Sequence, residues 1–475
     1  MIMSKIRGMR RYGFLASSIG FTCTAALVLA PGLPAAAATA GPTSATGPSA
    51  VPGSTQSLPL LPLTRDRARG AALGQGLRRT DVHHFSLVGV IWDDPDTELH
   101  GSVRIRTRST ATGTWSDWQD VDTHNADHGA DPGTTERASG LVHGATAPLW
   151  VGESDGVDVR VRVDTGDRDG GAAADPSVTL PSGLRVELVD PGDEPPPQGS
   201  QADASHTGEL SAEATAASAA NARLAPLGAT EIPALDRVDT ERELLGLRGD
   251  EPGLRGDEPG LHDGELAEQR RAEPYIGPRP RIVTRRGWGA DESLRGRGFV
   301  YSKKVEAAFV HHTSSGNNYT CAQAPSVIRS IYRYHVKSMG WRDIGYNFLI
   351  DKCGTLYEGR AGGVAKAVLG AHTLGFNTDS VGIAVIGSYG TSKPSSAAVT
   401  AVARLTAWKL GLYGMNPSGK TYLTSGGGNL YQKGKRVRLN VISGHRDGFS
   451  TDCPGRQLYG KLGTARSSAA RYQGR

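Results

Sequence analysis

Val305-Glu306-Ala307-Ala308-Phe309-Val310-His311-His312-Thr313 reads as a buried strand that carries two histidines at its end. A histidine just beyond an apolar strand is held rigidly, with its ring at the sheet edge. The pattern recurs near the C-terminus. Val437-Arg438-Leu439-Asn440-Val441-Ile442 leads into Gly444-His445-Arg446-Asp447, and Thr451-Asp452-Cys453-Pro454 follows closely. Two histidines and a cysteine thiolate make a three-ligand zinc site whose fourth position stays open, the mark of a catalytic rather than a structural zinc. Such a cation brings the pKa of a bound water to about 7. Taken singly, a His-His pair is more often structural, and Gly-His-Arg-Asp is an ordinary loop sequence. The metal reading rests on their combination and on the cysteine count.

Working outward from these stretches, Pro325 is placed to start a helix. Ile328, Ile331, Tyr332, His335 and Met339 share one face of it, and Gly340 ends it. Tyr346 to Asp351 reads as a strand. Val381 to Ile386 is an unbroken apolar run, as in a central strand buried on both faces. Ala397 to Leu412 reads as a second helix capped by Ser395 or Ser396, and Leu439 to Ile442 as the last core strand. Helices alternating with strands predict an α/β domain over residues 275–475, a central mixed sheet with helices on its faces.

Residues 280–460 resemble the peptidoglycan recognition proteins and the zinc-dependent N-acetylmuramoyl-L-alanine amidases that share their fold. The matching segments are Arg286-Gly287-Trp288-Gly289-Ala290, Val310-His311-His312-Thr313, Gly340 to Ile350 and Tyr357-Glu358-Gly359-Arg360. Gly370-Ala371-His372-Thr373, Val381-Gly382-Ile383-Ala384 and the two C-terminal motifs complete them. They fall in the family's order, though each is short. The resemblance implies that the first histidine of the pair is the ligand, so the zinc set is His311, His445 and Cys453. It places Tyr346 at the catalytic tyrosine and Thr451 at an assisting position, where an uncharged hydroxyl offers a hydrogen bond. His372 and Asn377 match a segment lining the substrate groove, and His335, Trp341 and Arg342 lie near the same wall. Arg342 carries a planar fork suited to a stem-peptide carboxylate. The implied substrate is peptidoglycan, cut at the amide between the lactyl group of N-acetylmuramic acid and L-alanine. The alternative is a non-catalytic peptidoglycan-binding protein, since some family members have lost the cysteine ligand. Here the cysteine is present. The second half shows no motif for a glycosidase carboxylate pair.

The chain of 475 residues has room for about three domains on a length prior. Its 63 glycines, 27 prolines and 38% hydrophobic residues are thin for one continuous core. Residues 1–40 read as a secretory signal peptide: Lys5, Arg7, Arg10 and Arg11, then an apolar run from Phe14 to Leu33, then Ala38-Thr39-Ala40. The mature protein is expected outside the cell and at the cell wall, with no membrane segment left after cleavage, and as a monomer. A net charge of +5 suits an anionic polymer such as a bacterial wall. No basic stripe interleaved with aromatics argues for nucleic acid.

Residues 41–77, rich in Ala, Pro, Ser, Thr and Gly, read as a flexible spacer. Residues 78–190 read as an all-β, sandwich-like domain. Val103, Ile105 and Thr107 alternate with arginines, Val157 to Val163 alternate with polar residues, and so do Leu184, Val186 and Leu188. Trp115 and Trp118 have rings able to stack on sugars, but such tryptophans are more often core residues and are expected in its core. Residues 191–274 read as a disordered linker with a heptapeptide repeat, Leu247-Arg248-Gly249-Asp250-Glu251-Pro252-Gly253, whose Gly and Pro exclude a coiled coil. Since every chemical motif lies after it, residues 275–475 are expected to fold and act alone. Loss of Cys23 with the signal leaves three cysteines, an odd number that needs an explanation in a secreted protein. A Cys321–Cys353 bridge with Cys453 on zinc supplies one.

Overall fold

The structure is a computed structural model that describes residues 53–63, 74–164, 179–193, 210–250 and 275–475. The expected signal peptide and most of the heptapeptide repeat lie outside these residues. No described helix is long and apolar enough to cross a membrane.

The first half is an all-β unit. Its strands are β1 (Ser54–Pro59), β2 (Leu61–Pro62), β3 (Gly74–Arg79), β4 (Phe85–Trp92), β5 (Gly101–Ser109), β6 (Gln119–Val121), β7 (Gly144–Ala145), β8 (Leu149–Val163) and β9 (Arg185–Asp190). They run in the order β1-β9-β4-β8-β3-β2, with β5 on β8, β6 on β5 and β7 on β4. The start of β8 pairs with β4, and its second half pairs with β3 and β5. One strand therefore serves both parts of the sheet. Val88, Val90, Val103, Ile105, Val157, Val159, Val161, Val186 and Leu188 fill the core between them. The expected spacer over 41–77 is corrected in its described part: β1 and β2 lie within it and β3 starts in it, β1 pairing with β9, β2 with β3 and β3 with β8. β1 is a half-exposed edge strand held by backbone pairing, so no alternation marks it. Trp115 and Trp118 are also corrected. They are half-buried under arginines, with the Arg160 guanidinium 4.3 Å and that of Arg106 4.8 Å from the Trp118 ring centre.

The second half is built on a seven-stranded mixed sheet, order β10-β11-β14-β13-β15-β12-β18. Its strands are β10 (Glu231–Ile232), β11 (Ile282–Val283), β12 (Ala307–His312), β13 (Phe348–Ile350), β14 (Leu356–Glu358), β15 (Ser380–Val385) and β18 (Ile442–Gly444). β16 (Lys420–Thr424) and β17 (Arg436–Asn440) form a separate hairpin. The Val437 to Ile442 run is thus two strands rather than one. Val437 and Leu439 pack on Phe309 and Phe376, whereas Val441 and Ile442 join the main core.

The expected linker over 191–274 is corrected as well. Its described part holds α1 (Ala212–Ala219), capped by Ser211, then β10, then α2 (Arg237–Asp250). Leu224, Ile232, Leu244 and Leu247 are buried in the main core of the second half. Sparse apolar residues among Ala and Glu give little periodicity, so burial against a sheet edge decides the fold here.

The helix expected from Pro325 is α3 (Ala324–Arg333), continued by a π-helical turn over Tyr334–Ser338. α4 (Ser396–Leu412) is capped by the Ser395 hydroxyl, which accepts from Ala398 N. α5 (Arg456–Tyr459) and α6 (Leu462–Tyr472) close the chain. Cys321 and Cys353 are bridged, tying the turn before α3 to the turn after β13.

The two halves share a core. β4 is buried along its whole length. Its Leu87 and Ile91, with Trp150 and Val189, pack in one cluster with Ile328, Ile331 and Tyr334. At Gly89 a Cβ would lie 2.4 Å from the Tyr334 hydroxyl, so glycine is what lets that ring reach Thr146, whose carbonyl it donates to at 3.1 Å.

Candidate metal centre

β12 runs parallel to β18, with Ala308 opposite Ile442 and Val310 opposite Gly444. Parallel pairing puts the C-terminal ends of both strands at one edge. His311 and the His445 that follows β18 therefore meet, their rings 4.5 Å apart. A 3₁₀ turn over His445–Asp447 returns the chain, and Arg446 N donates to Cys453 O at 3.0 Å. The Cys453 sulfur lies 3.7 Å from His311 Nδ1. Among the described residues Cys453 is unbridged, and it is buried.

The histidine pair divides. His311 turns Nδ1 into the cluster, and its Nε2 lies 3.2 Å from His372 Nδ1 and 3.3 Å from the Thr373 hydroxyl. His312 instead accepts from Tyr389 N through Nδ1. Burial takes His312 down to about 4 and His445 to about 3, and holds His311 and His372 well below the usual imidazole range. The rings are therefore neutral at pH 7, as metal ligands must be. Burial also pushes the Cys453 thiol well up, and a thiol so placed ionises only beside a cation.

A fourth residue joins them. His128, from the segment between β6 and β7 in the first half, places Nε2 3.9 Å from the Cys453 sulfur. The donor atoms of His128, His311, His445 and Cys453 all lie within 4.8 Å of one another. Neither ring nitrogen of His445 has a hydrogen bond among the described residues, although Asp127 Oδ2 lies 3.7 Å from Nδ1. A buried polar atom left so costs about 1–3 kcal/mol. Neutral imidazoles, a sulfur and orphaned nitrogens fit a divalent cation of the zinc type.

Tyr346 packs beside the same cluster, its ring centre 5.6 Å from that of His311. Burial, with Cys453 and Asp127 nearby, raises its phenol well above the usual value, so it remains a donor. The Thr451 hydroxyl accepts from Cys453 N at 3.1 Å and lies beside Asp127. Burial works to raise Asp127, but His128, His445 and the Thr451 hydroxyl outweigh it and hold that carboxyl well below its usual range. His335 stacks on Trp341 at 4.5 Å and accepts from Gly345 N through Nδ1. Asn377 Oδ1 accepts from His372 N and Thr373 N, which fixes the His372 ring behind His311. Arg342 is turned away: its guanidinium donates to the carbonyls of Arg297 and Gly298. The buried arginine near the groove is Arg360, which grips Glu136 through two bonds of 2.9 Å.

His128, Asp127 and the Glu136–Arg360 pair escape the sequence reading. Asp127-His128-Gly129 is an aspartate beside a histidine in a polar loop, a usable signal in principle. It stands 325 residues before Cys453 in the chain, and nothing local links the two.

A mixed sheet with helices on its faces brings two histidines at the C-terminal edge of parallel strands together with a loop cysteine, which defines an α/β domain with a candidate metal site, here joined to a β unit. Residues 301–456 match the family model for N-acetylmuramoyl-L-alanine amidase, and residues 38–182 match one described as Rv3811 N-terminal galactose-binding domain-like. Peptidoglycan-recognition protein SC2 of Drosophila simulans is 31% identical over 183 residues, 38% of this chain and 85% of that protein. The N-acetylmuramoyl-L-alanine amidase of Homo sapiens is 32% identical over 205 residues, 42% of this chain and 30% of that protein. The chain belongs to the peptidoglycan-recognition protein and N-acetylmuramoyl-L-alanine amidase family.

Proposed function

We propose that the protein is a secreted, zinc-dependent N-acetylmuramoyl-L-alanine amidase acting on bacterial peptidoglycan. The observation that carries this reading is the convergence of the donor atoms of His311, His445 and Cys453, with no hydrogen bond at either His445 nitrogen among the described residues and Asp127 Oδ2 3.7 Å from Nδ1. A zinc ion held there supplies a polarised water near neutral pH and draws charge onto an amide carbonyl. The chain's own groups do the rest. His372 and Thr373 orient His311 through its outer nitrogen, the kind of support that fixes a ligand's tautomer. Thr451 fixes the backbone at Cys453. Tyr346, held protonated, donates to the carbonyl oxygen as negative charge develops on it. The basic and then apolar start of the chain supports export to the wall where this substrate lies.

The test is product analysis of digested peptidoglycan, run with the full chain and with a His128→Ala variant that frees the position facing that ring. New amino-terminal alanine without new reducing sugar ends is expected from His128→Ala, and little or none from the wild-type chain, in which the His128 ring faces the cluster. Cys453→Ser in either background should lose zinc and release none, because a serine hydroxyl stays protonated at neutral pH and binds zinc poorly. Undiminished cleavage by a metal-free Cys453→Ser protein would sink the zinc mechanism. Binding to peptidoglycan with no product from any variant would make the protein a recognition module instead.

A further inference from the structure

The segment that carries His128 is fastened to the second half along its whole run. Leu374 N donates to Asp127 O at 3.0 Å. Asn377 Nδ2 donates to Gly129 O at 2.8 Å and to Asp131 Oδ1 at 2.6 Å, and Gly375 N donates to the same carboxylate at 2.7 Å. Glu136 takes the Arg360 guanidinium with both oxygens and accepts from Arg342 N at 3.1 Å. His143 N donates to Met339 O at 3.1 Å. Residues 127–143 thus lie as a strap over the wall formed by Trp341, His372 and Asn377, all of them buried.

At the end of the strap nearest the cluster, the His128 ring is set as a ligand is set. Its Nδ1 is 2.8 Å from Asp127 Oδ1. With Nδ1 taken by that carboxylate, Nε2 is the nitrogen turned to the cluster, a pairing typical of metal-bound histidines. Nε2 points at the cluster. With Zn–S near 2.3 Å and Zn–N near 2.0 Å, a tetrahedral site separates sulfur from each nitrogen by about 3.5 Å. The sulfur lies 3.7 Å from His311 Nδ1 and 3.9 Å from His128 Nε2. The His128 ring is 4.6 Å from that of His445 and 5.4 Å from that of His311.

We propose that His128 is a fourth protein ligand, so that the full chain holds its metal in a closed Cys/His₃ site with the strap shutting the amidase groove. A site with four protein ligands has no position for water or substrate, which is the structural rather than the catalytic form. The protein is then latent. Displacing the strap removes one ligand and uncovers the wall in a single movement. This rests on the metal reading above and adds the state in which that metal is kept.

The test uses the full chain loaded with cobalt(II), whose visible spectrum reports coordination, and acetohydroxamate as a small probe that takes any open metal position. The wild-type spectrum should be four-coordinate and unchanged by the probe. In His128→Ala the spectrum should shift when the probe is added, and zinc affinity should fall by about 10–100-fold, the loss that even outer-sphere partners of a metal can cause. His124→Ala, four residues away and on the exposed side, should behave as wild type. A wild-type spectrum that responds to the probe as readily as His128→Ala overturns the proposal and leaves the amidase reading standing. Any shift of the wild-type spectrum on adding the probe overturns it by itself, so this arm stands even where the variant fails to fold. A closed wild-type site together with an opened His128→Ala that cuts no peptidoglycan upholds the fourth ligand and overturns the amidase reading. A wild-type chain that binds neither cobalt nor zinc overturns both.

Discussion

Tyr346 separates holding the metal from using it. It packs 5.6 Å from the His311 ring without being one of the four donors, and burial keeps its phenol protonated. Tyr346→Phe removes only the hydroxyl. In the His128→Ala background it should keep zinc and substrate binding and lower kcat by about 10²-fold, the cost of one oxyanion donor. Steady-state kinetics with a zinc assay decides this; an unchanged kcat would make the tyrosine a packing residue. At this scale the sequence was informative where chemistry is local. His311 ends a strand and His445 follows one, and Cys453 is the cysteine left over. His128 was illegible because what makes it a donor, the turn of Nε2 toward Cys453, exists only after two distant halves dock. Arg342 misled for the same reason: its fork suits a carboxylate, but carbonyls of residues 297–298 take it first.

Among elements, α4 shows how burial acts on a helix. Lys409 lies inside the main core, and its Nζ donates to the carbonyls of Val364 and Lys366 at 2.7 Å each. Burial brings its pKa from the usual 10.5 down to about 7. The folded chain sheds this proton near pH 7, whereas the unfolded chain keeps it to above 10. Between those values unfolding takes up a proton, so stability rises with pH; the penalty is full below pH 7. From pH 7 to 9 the rise is about 2–3 kcal/mol from this group. Lys409→Met should lack it, so the stability difference between wild type and variant should shift by that amount in favour of wild type. Urea melts of both proteins across pH 7–9 measure this, and parallel pH profiles would refute it. The strong periodic elements, α3, α4 and β15, were legible because one face or both are apolar throughout. α1, β10 and α2 were not. Their few apolar side chains carry little pattern, and their place in the fold comes from the sheet edge at β11, with which β10 pairs.

For the whole molecule, composition suggested separate modules and the packing contradicts it. The described residues from 53 to 475 form one compact unit. β4 explains why the boundary vanishes. Phe85 to Trp92 is apolar nearly throughout, which a sandwich strand with one wet face would not be. Its Val88 and Val90 face the β core while Leu87 and Ile91 face α3 and the turn after it. Unfolding either half would expose the apolar face of the other, at roughly 25 cal/mol per Å² of surface uncovered. The full chain should therefore melt in one calorimetric transition, with equal calorimetric and van't Hoff enthalpies. A chain cut to residues 275–475 loses both Leu87 and Ile91 on one side and Ile232 and Leu244 on the other. It should bind a hydrophobic dye, melt at lower temperature with less cooperativity, and show a metal site that acetohydroxamate reaches freely because His128 is gone. Two separated transitions in the full chain, or a fragment that melts as sharply and at the same temperature, would restore independent modules. In that case the strap would have to be held by its hydrogen bonds and by the Glu136–Arg360 pair rather than by a shared core.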